Sequence, residues 1–227
     1  MQTLSFEFRG HGRAEHRSVA VRDLVIAGWT GRDMHKVQEH IEELAALGVA
    51  PPASVPCFYR GGTNLLTTAP EVDCLGAESS GEAEWFLLVQ DDGWWVGAGS
   101  DHTDRKVEAY SITVSKQMCP KPVAPVLWRF DEVADHWDSL EIRSEVDDGA
   151  GFVTYQQGSV AAMRHPRDLV AAYEAAGHRL APGTLMFGGT LPVQGGIRPR
   201  RDFRLSLHDP VRGETIRHHY TARWLAG

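Results

Sequence analysis

The sequence of 227 residues lacks the features that would place it in a membrane or outside the cell. No apolar run approaches the roughly 18 or more residues that a membrane-spanning helix needs. Glu7, Arg9 and His11 stand where an export signal would have its apolar core. We therefore predict no membrane partner and a cytoplasmic location.

Cysteine is scarce, because the chain has only Cys57, Cys74 and Cys119. Their odd number and wide spacing exclude a disulfide framework and a Cys-x-x-Cys metal site, and they fit a reducing compartment. Stability must then come from a hydrophobic core. A chain of 227 residues, 42% of them hydrophobic, is long enough to bury one.

Positive charge is also in deficit, since 23 Lys and Arg residues face 30 Asp and Glu residues, for a net charge of −7. Arg198, Arg200 and Arg201 form a small local cluster, but there is no long basic block. This composition argues against non-specific nucleic-acid binding. We predict no nucleic-acid partner.

Short apolar runs separated by Gly and Pro residues predict mostly strands. The predicted strands cover residues 4–8, 18–26, 55–60, 64–68, 185–187, 202–207 and 214–224, and hairpins are predicted over residues 84–97 and 139–157. Many strands at irregular spacing indicate a rolled or barrel-like sheet. The predicted fold class is therefore α+β and β-rich, with a few helices.

Two helices are indicated by periodicity and end signals. Residues 33–47 place apolar side chains at helical spacing before Gly48, and residues 166–176 begin with Pro166 and end before Gly177. Residues 107–114 fit either a strand or a short helix, and residues 127–137 suggest another short helix.

No sharp domain boundary is evident in the sequence. Residues 1–70 are predicted to form a small N-terminal portion that carries the first helix. Residues 71–227 would form a larger β-rich body. The two parts could equally be one continuous domain.

The most informative segment contains three acidic residues. Glu82 and Glu84 lie two apart, so on a strand they point to the same face. Two such carboxylates repel each other unless a cation or a proton lies between them. Asp101 follows the next strand-like run, and three oxygen ligands suit Mg²⁺, Mn²⁺ or Ca²⁺. The alternatives are an exposed strand start for the two glutamates and a turn position for Asp101.

Four blocks, taken in order, resemble the fumarylacetoacetate hydrolase superfamily. Residues 28–35, Gly-Trp-Thr-Gly-Arg-Asp-Met-His, stand where the superfamily has Gly-x-Asn-Tyr-x-x-His before a lid helix. Residues 82–84 match its metal-binding Glu-x-Glu, and residues 101–105 resemble its Asp-x-(Ser/Thr)-x-Arg-Asp. Residues 180–192 resemble its Leu-x-Pro-Gly-Asp followed by Thr-Gly-Thr-Pro. The chain is identified as a divergent bacterial branch of this superfamily.

The resemblance implies a fumarylacetoacetate hydrolase-like mixed β-roll, in which the first helix is a lid and residues 71–227 are the catalytic body, and, by analogy, a homodimer. It implies that Glu82, Glu84 and Asp101 bind Mg²⁺ or Mn²⁺, with Ca²⁺ as a further option. Asp104 is the alternative third ligand, because the superfamily motif is shifted by one residue here. The other implied roles are His35 as general base oriented by Glu39, Lys116 facing the substrate, and substrate contacts from Arg32, Arg105, Gln117, Gly189 and Thr190.

The implied reaction is metal-dependent hydrolysis of a C–C bond in a small 2-oxo or 1,3-dicarbonyl acid, an acylpyruvate-like anion, through a metal-bound enolate. Decarboxylation, hydration and tautomerisation of a related oxo-acid pass through the same kind of enolate. An amide hydrolase and a non-catalytic binding protein of the same fold are further alternatives.

Overall fold

Strands are the main secondary structure of the computed structural model, which describes residues 1–46 and 51–226. In chain order the strands are β1 Gln2–Gly10, β2 Arg13–Val21, β3 Asp23–Gly28, β4 Cys57–Gly61, β5 Leu66–Thr67, β6 Glu71–Leu75, β7 Ser79–Ser80, β8 Ala83–Gln90, β9 Gly93–Ser100, β10 Thr103–Asp104, β11 Lys121–Pro122, β12 Val126–Arg129, β13 Glu141–Asp147, β14 Phe152–Ser159, β15 Thr184–Thr190, β16 Asp202–Asp209 and β17 Glu214–Leu225. The α-helices are α1 Met34–Ala46, α2 Arg105–Glu108, α3 Ile112–Met118 and α4 Pro166–Ala175. Short 3₁₀ turns cover Thr63–Leu65, Phe130–Glu132, Ala134–Ser139 and Val160–Ala162.

Two mixed sheets carry the architecture. The larger has eight strands in the order β2-β1-β12-β9-β8-β15-β3-β4, and the smaller has five in the order β14-β13-β16-β17-β6. Two further strand pairs, β10 with β7 and β11 with β5, lie outside them. The large sheet takes strands from both sides of residue 70, so its hydrogen bonds cross the predicted domain boundary.

Two hydrophobic cores lie on opposite faces of the large sheet. The first joins the sheets, because Trp85 and Leu87 of β8 cluster there with Leu205 of β16 and Tyr220 of β17. The second draws almost entirely on the large sheet and includes Leu4, Phe6, Phe86, Leu127 and Phe187. A sheet that buries one of its faces against itself must curl, so the predicted β-roll is confirmed.

The predicted elements agree with the structure at most positions. The two periodic helices are confirmed as α1 and α4, although residues 47–50, where α1 was expected to end, lie outside the described residues. The single strand predicted over residues 18–26 is wrong, because the chain leaves β2 at Val21 and enters β3 at Asp23. The undecided segment 107–114 takes up the end of α2 and the start of α3.

None of the helices within residues 1–46 and 51–226 combines the length and the apolar character needed to cross a membrane. All three cysteines are free: Cys74 and Cys119 are buried, and Cys57 is half-buried.

Candidate metal centre

The β8–β9 hairpin brings the three acidic residues together. Its strands end at Gln90 and resume at Gly93, and this tight turn fixes a register in which Glu84 lies opposite Gly99. The pairing continues beyond the strands, where the Asp101 amide donates to the Glu82 carbonyl at 3.0 Å. Directly opposite residues of an antiparallel pair share a face, and Glu82 shares its face with Glu84. The hairpin therefore places all three carboxylates on one side of the sheet.

The three carboxylates converge at one place. One oxygen each from Glu82, Glu84 and Asp101 lie within 4.8 Å of one another. Asp101 is fully buried and Glu84 is 3% exposed. We call Glu82, Glu84 and Asp101 the carboxylate cluster. Their close approach in a buried setting demands compensating positive charge.

Lys116 of α3 supplies part of this charge. Its Nζ lies 2.6 Å from Asp101 Oδ2, 3.3 Å from Glu82 Oε2 and 3.5 Å from Glu108 Oε1. Burial alone would lower the pKa of Lys116, but the carboxylates raise it well above its ordinary value. Lys116 is therefore a fixed buried cation at the edge of the cluster.

Asp101 is bracketed by two lysines. Lys121 is fully buried and places Nζ 2.8 Å from Asp101 Oδ1, opposite the oxygen that faces Lys116. Burial opposes ionisation, yet the two lysines hold the pKa of Asp101 below its usual range. Three converging carboxylates, of which Asp101 is ionised and buried, are the kind of oxygen donor set that a hard divalent ion prefers. The residues present therefore suit Mg²⁺ or Mn²⁺.

The two glutamates are held in different electrostatic states. Burial, followed by the negative charges of Asp101 and Glu82, raises the pKa of Glu84 well above its ordinary value. Burial opposes ionisation of Glu82 as well, but Arg105, 3.1 Å away, and Lys116 lower its pKa. Glu84 is therefore the candidate ligand whose negative charge is least compensated by nearby cations.

Backbone and amide contacts fix the strand that carries the glutamates. The Gly189 amide donates to Glu84 Oε2 at 2.7 Å. Gln156 accepts from the Ala83 amide at 2.9 Å and donates to Thr190 Oγ1 at 2.6 Å. Thr190 Oγ1 in turn donates to the Ala83 carbonyl at 2.8 Å. The predicted substrate residues Gly189 and Thr190 therefore bind Glu84 and its neighbour.

The alternative ligand Asp104 has another task. Its Oδ1 accepts from the Val107 amide at 2.8 Å and caps α2. His102 is buried. Its Nδ1 lies 2.9 Å from Tyr220 Oη, and its Nε2 lies 2.9 Å from Ser79 Oγ. The geometry therefore groups Asp101, rather than Asp104, with the glutamates.

The predicted base pair lies on the surface of α1. His35 Nδ1 is 3.2 Å from Glu39 Oε1, and the two side chains are 82% and 59% exposed. Neither forms a hydrogen bond or an ion pair with the carboxylate cluster. The structure does not bring the predicted base to the cluster, and its catalytic role stays a prediction.

Two predicted substrate residues also bind elsewhere. Arg32 forms a two-pronged ion pair with Asp138 at 2.7 and 2.8 Å. The side-chain amide of Gln117 hydrogen-bonds to the backbone: it accepts from the Gly62 amide at 3.1 Å and donates to the Arg60 carbonyl at 2.8 Å. Both interactions hold segments that surround the site.

Several residues at the site were not predicted to take part. Lys116, not Lys121, was the lysine predicted to face the substrate, and nothing in the sequence signalled the parts played by Gln156 and Glu108. These residues come from three separate segments. Only the Cys-Pro-Lys-Pro sequence around Lys121, a rigid passage after α3, could have drawn attention to it.

Comparisons with known proteins agree with this picture. The family model described as protein of unknown function, DUF2848, matches residues 27–220. None of the curated proteins matches the sequence. Several solved structures share the fold at low sequence identity.

A protein from Oleispira antarctica, provisionally named a fumarylacetoacetate isomerase/hydrolase, is 17% identical with a TM-score of 0.66, covering 96% of this chain and 99% of that chain. One from Burkholderia cenocepacia, provisionally named a fumarylpyruvate hydrolase, is 19% identical with a TM-score of 0.64, covering 97% and 91%. The 5-carboxymethyl-2-hydroxymuconate delta-isomerase from Mycobacterium smegmatis is 15% identical with a TM-score of 0.60, covering 96% and 84%. These likenesses establish the fumarylacetoacetate hydrolase fold.

Proposed function

Since this chain belongs to the DUF2848 family and has the fumarylacetoacetate hydrolase fold, we propose that it is a divalent-metal-dependent hydrolase of a small oxo-acid. The substrate would be a 2-oxo or 1,3-dicarbonyl acid whose C–C bond is cleaved. The observation that carries the proposal is the convergence of Glu82, Glu84 and Asp101 within 4.8 Å in a buried place.

Glu82, Glu84 and Asp101 would hold Mg²⁺ or Mn²⁺. A bound divalent ion supplies Lewis acidity that polarises the oxo group of the substrate. Gly189 keeps one oxygen of Glu84 occupied, which orients the other. Arg105 holds one oxygen of Glu82 in the same way, because Nη2 of Arg105 lies 3.1 Å from Oε1 of Glu82. These contacts pre-position the ligands, which limits reorganisation on binding.

Lys116 would stabilise negative charge that develops on the substrate. Its ammonium group is buried beside Asp101, where water screens its charge little. A fixed cation at such a place lowers the energy of an enolate leaving group. The enolate formed by C–C cleavage would then take a proton to give the oxo-acid product.

The charge of the site favours an anionic substrate. With all groups ionised, the four carboxylates of Glu108 and the carboxylate cluster exceed the three cations Lys116, Lys121 and Arg105 by one charge. A divalent ion would turn this net −1 into +1. An acid of one or two negative charges would then be attracted to the loaded site.

Hydrolysis also needs a group that activates water, and His35 with Glu39 is the proposed pair. The segment before α1 already reaches the site, because a Cβ on Gly189 would lie 1.9 Å from Thr30 Oγ1. Within the described side chains of α1, Val37 is the buried one. A helix that starts beside the site could close over a substrate. His35→Gln should then lower turnover while leaving metal affinity unchanged.

Enolate chemistry without water is the second candidate function. The exposed position of His35 favours it, because decarboxylation or tautomerisation of an oxo-acid needs no activated water. The same carboxylate cluster and Lys116 would serve. Release of CO₂, or an isomeric product, instead of two acids would identify it. A homodimer and a cytoplasmic location stay predictions.

Metal binding is the first test. We expect the protein to bind about one Mn²⁺ by calorimetry, and Glu84→Gln to weaken binding at least about 100-fold, since it removes a charged ligand. Glu71→Gln makes the same chemical change at a glutamate whose side chain is 61% exposed, and should bind like wild type. Equal binding by all three proteins, or none by wild type, would contradict the proposal. The metal-loaded protein is then assayed with acylpyruvates.

A further inference from the structure

One face of the large sheet continues from the carboxylate cluster to strand β4. Cross-strand partners run from Phe86 to Phe187, then to Ile26 and to Tyr59. Directly opposite residues share a face, so Tyr59 faces the same side as Phe86 and, two residues earlier on β8, Glu84. Cys57 lies two residues before Tyr59 and shares that face.

Glycines on this face let neighbouring side chains approach the sheet closely. Gly99 lies opposite Glu84, and Gly28 lies opposite Cys57. A Cβ on Gly28 would come within 2.9 Å of Tyr59 Cε2 and 3.2 Å of Cys57 Sγ. Both side chains therefore lean over β3, the strand that separates β4 from β15 and the cluster.

The positive charge of Lys116 acts both on the carboxylate cluster and on Tyr59 and Cys57. Burial raises the pKa of Tyr59 and of Cys57, and the positive charge of Lys116 acts in the opposite direction on both. The neighbouring Gln117 ties α3 to β4 through its bonds to Arg60 and Gly62. The same lysine that pairs with Asp101 thus acts on Tyr59.

Tyr59 already has two side-chain partners. Trp29, at the start of the segment that leads to α1, hydrogen-bonds to the phenol, and Cys57 is its other partner. An indole can only donate, so the phenol proton points to the sulfur. Sulfur is a weak acceptor, and an oxygen atom of a ligand would replace it favourably. Tyr59 and Cys57 are half-buried, which leaves a ligand access to them.

We propose that Tyr59, flanked by Cys57 and Trp29, recognises the far end of the oxo-acid and selects acids that carry an oxygen acceptor there. This inference rests on the proposed function, because the near end of the acid would be held at the carboxylate cluster. Three strand spacings separate β8 from β4, about 14 Å between backbones. The side chains and an acid of about five carbons together span that distance.

Paired ligands test the selection directly. In the presence of Mn²⁺, oxalate reports the metal centre alone, 2-oxoglutarate adds a distal carboxylate, and 2-oxopentanoate has the same chain length with a distal methyl group. By calorimetry, wild type should bind 2-oxoglutarate about tenfold more tightly than 2-oxopentanoate. Tyr59→Phe should reduce that ratio to within about twofold and leave oxalate affinity unchanged. Tyr110→Phe, at a residue 75% exposed, is the control and should keep the wild-type ratio.

Cys57 provides a second readout that is independent of activity. Cys74 and Cys119 are buried, so native-state alkylation by iodoacetamide should report Cys57. With Mn²⁺ present, 2-oxoglutarate should slow this alkylation several-fold, whereas oxalate, which is too short to reach β4, should not. Peptide mapping identifies the labelled cysteine.

The outcomes separate this inference from the proposed function. If oxalate and Mn²⁺ bind but the ligand preference is absent, or is unchanged in Tyr59→Phe, the role of Tyr59 is overturned and the metal centre stands. Equal protection of Cys57 by oxalate and 2-oxoglutarate also overturns it. If Mn²⁺ and oxalate do not bind at all, the proposed function fails and this inference fails with it. Thermal midpoints of the variants exclude misfolding as the cause.

Discussion

Two groupings of acids and bases in this protein have similar geometry and very different surroundings. Lys116 and Asp101 lie 2.6 Å apart, with side chains 9% and 0% exposed. His35 and Glu39 lie 3.2 Å apart, with side chains 82% and 59% exposed. The separation of the charged atoms is therefore a poor guide to what each pair does.

Burial makes the difference. Exposed pairs contribute little because water and salt screen them, so the His35–Glu39 pair adds little to the stability of α1. Buried charges cost several kcal/mol each unless they are paired, so the Lys116–Asp101 pair fixes the chain around it. The first arrangement suits a mobile lid, and the second suits a rigid ligand set.

The largest effect is expected from Asp101→Asn. It leaves Lys116 and Lys121 buried without their shared partner, and removal of one member of a buried pair costs about 3–5 kcal/mol. Chemical denaturation should show this loss in the free energy of unfolding. Glu39→Gln at the exposed pair is the control, and an equal loss there would refute the contrast.

Gly189→Ala should have the next largest effect. The new Cβ would meet Thr30 Oγ1 at 1.9 Å, so the segment before α1 or the Gly189–Glu84 contact must shift, at a cost of about 1–3 kcal/mol. Gly196→Ala is a matched control, because Gly196 also has a positive φ, +82°, but nothing within 4 Å. We expect lower Mn²⁺ affinity in Gly189→Ala only. Equal effects would show that backbone conformation, not contact with Thr30, is the cause.

A half-buried histidine gives a smaller, pH-dependent contrast. Burial, and then His219, lowers the pKa of His218 to about 4, against an ordinary 6.5. The unfolded chain takes up the proton first, so stability present above about pH 6.5 is lost as pH falls towards 4. The thermal midpoint of wild type should fall relative to that of His218→Gln by about 4 °C over this range. The exposed His35→Gln variant should track wild type, and a constant gap for His218→Gln would contradict this account.

The smallest effect is expected when the exposed pair is removed. His35→Gln and Glu39→Gln should each change the free energy of unfolding by less than about 0.5 kcal/mol, and Mn²⁺ affinity by less than twofold. Denaturant titration and calorimetry measure the two quantities. A weaker affinity would mean that α1 already covers the cluster.

The carboxylate cluster could be predicted from the sequence because it depends on local geometry. The spacing of Glu82 and Glu84 and the hairpin signal at residues 84–97 place these residues near Asp101 by strand register alone. The helices α1 and α4 could be predicted for the same reason, since periodicity and end signals are local. The strand predicted over residues 18–26 failed because an apolar run does not reveal that the chain changes strands at Arg22.

By itself, then, the sequence determined a β-rich fold and the one-sided arrangement of three carboxylates. Only the tertiary structure decided which cations meet them. The three cations lie on different elements: Arg105 on α2, Lys116 on α3 and Lys121 on β11. Their approach to Asp101 and Glu82 depends on how the sheet curls. The tertiary structure also decided that Tyr59 and Gly28 lie on the same face of the sheet as the cluster, and that His35 lies on the exposed surface of α1. Strand register is set by neighbours in sequence, whereas packing between distant segments is set by the whole fold.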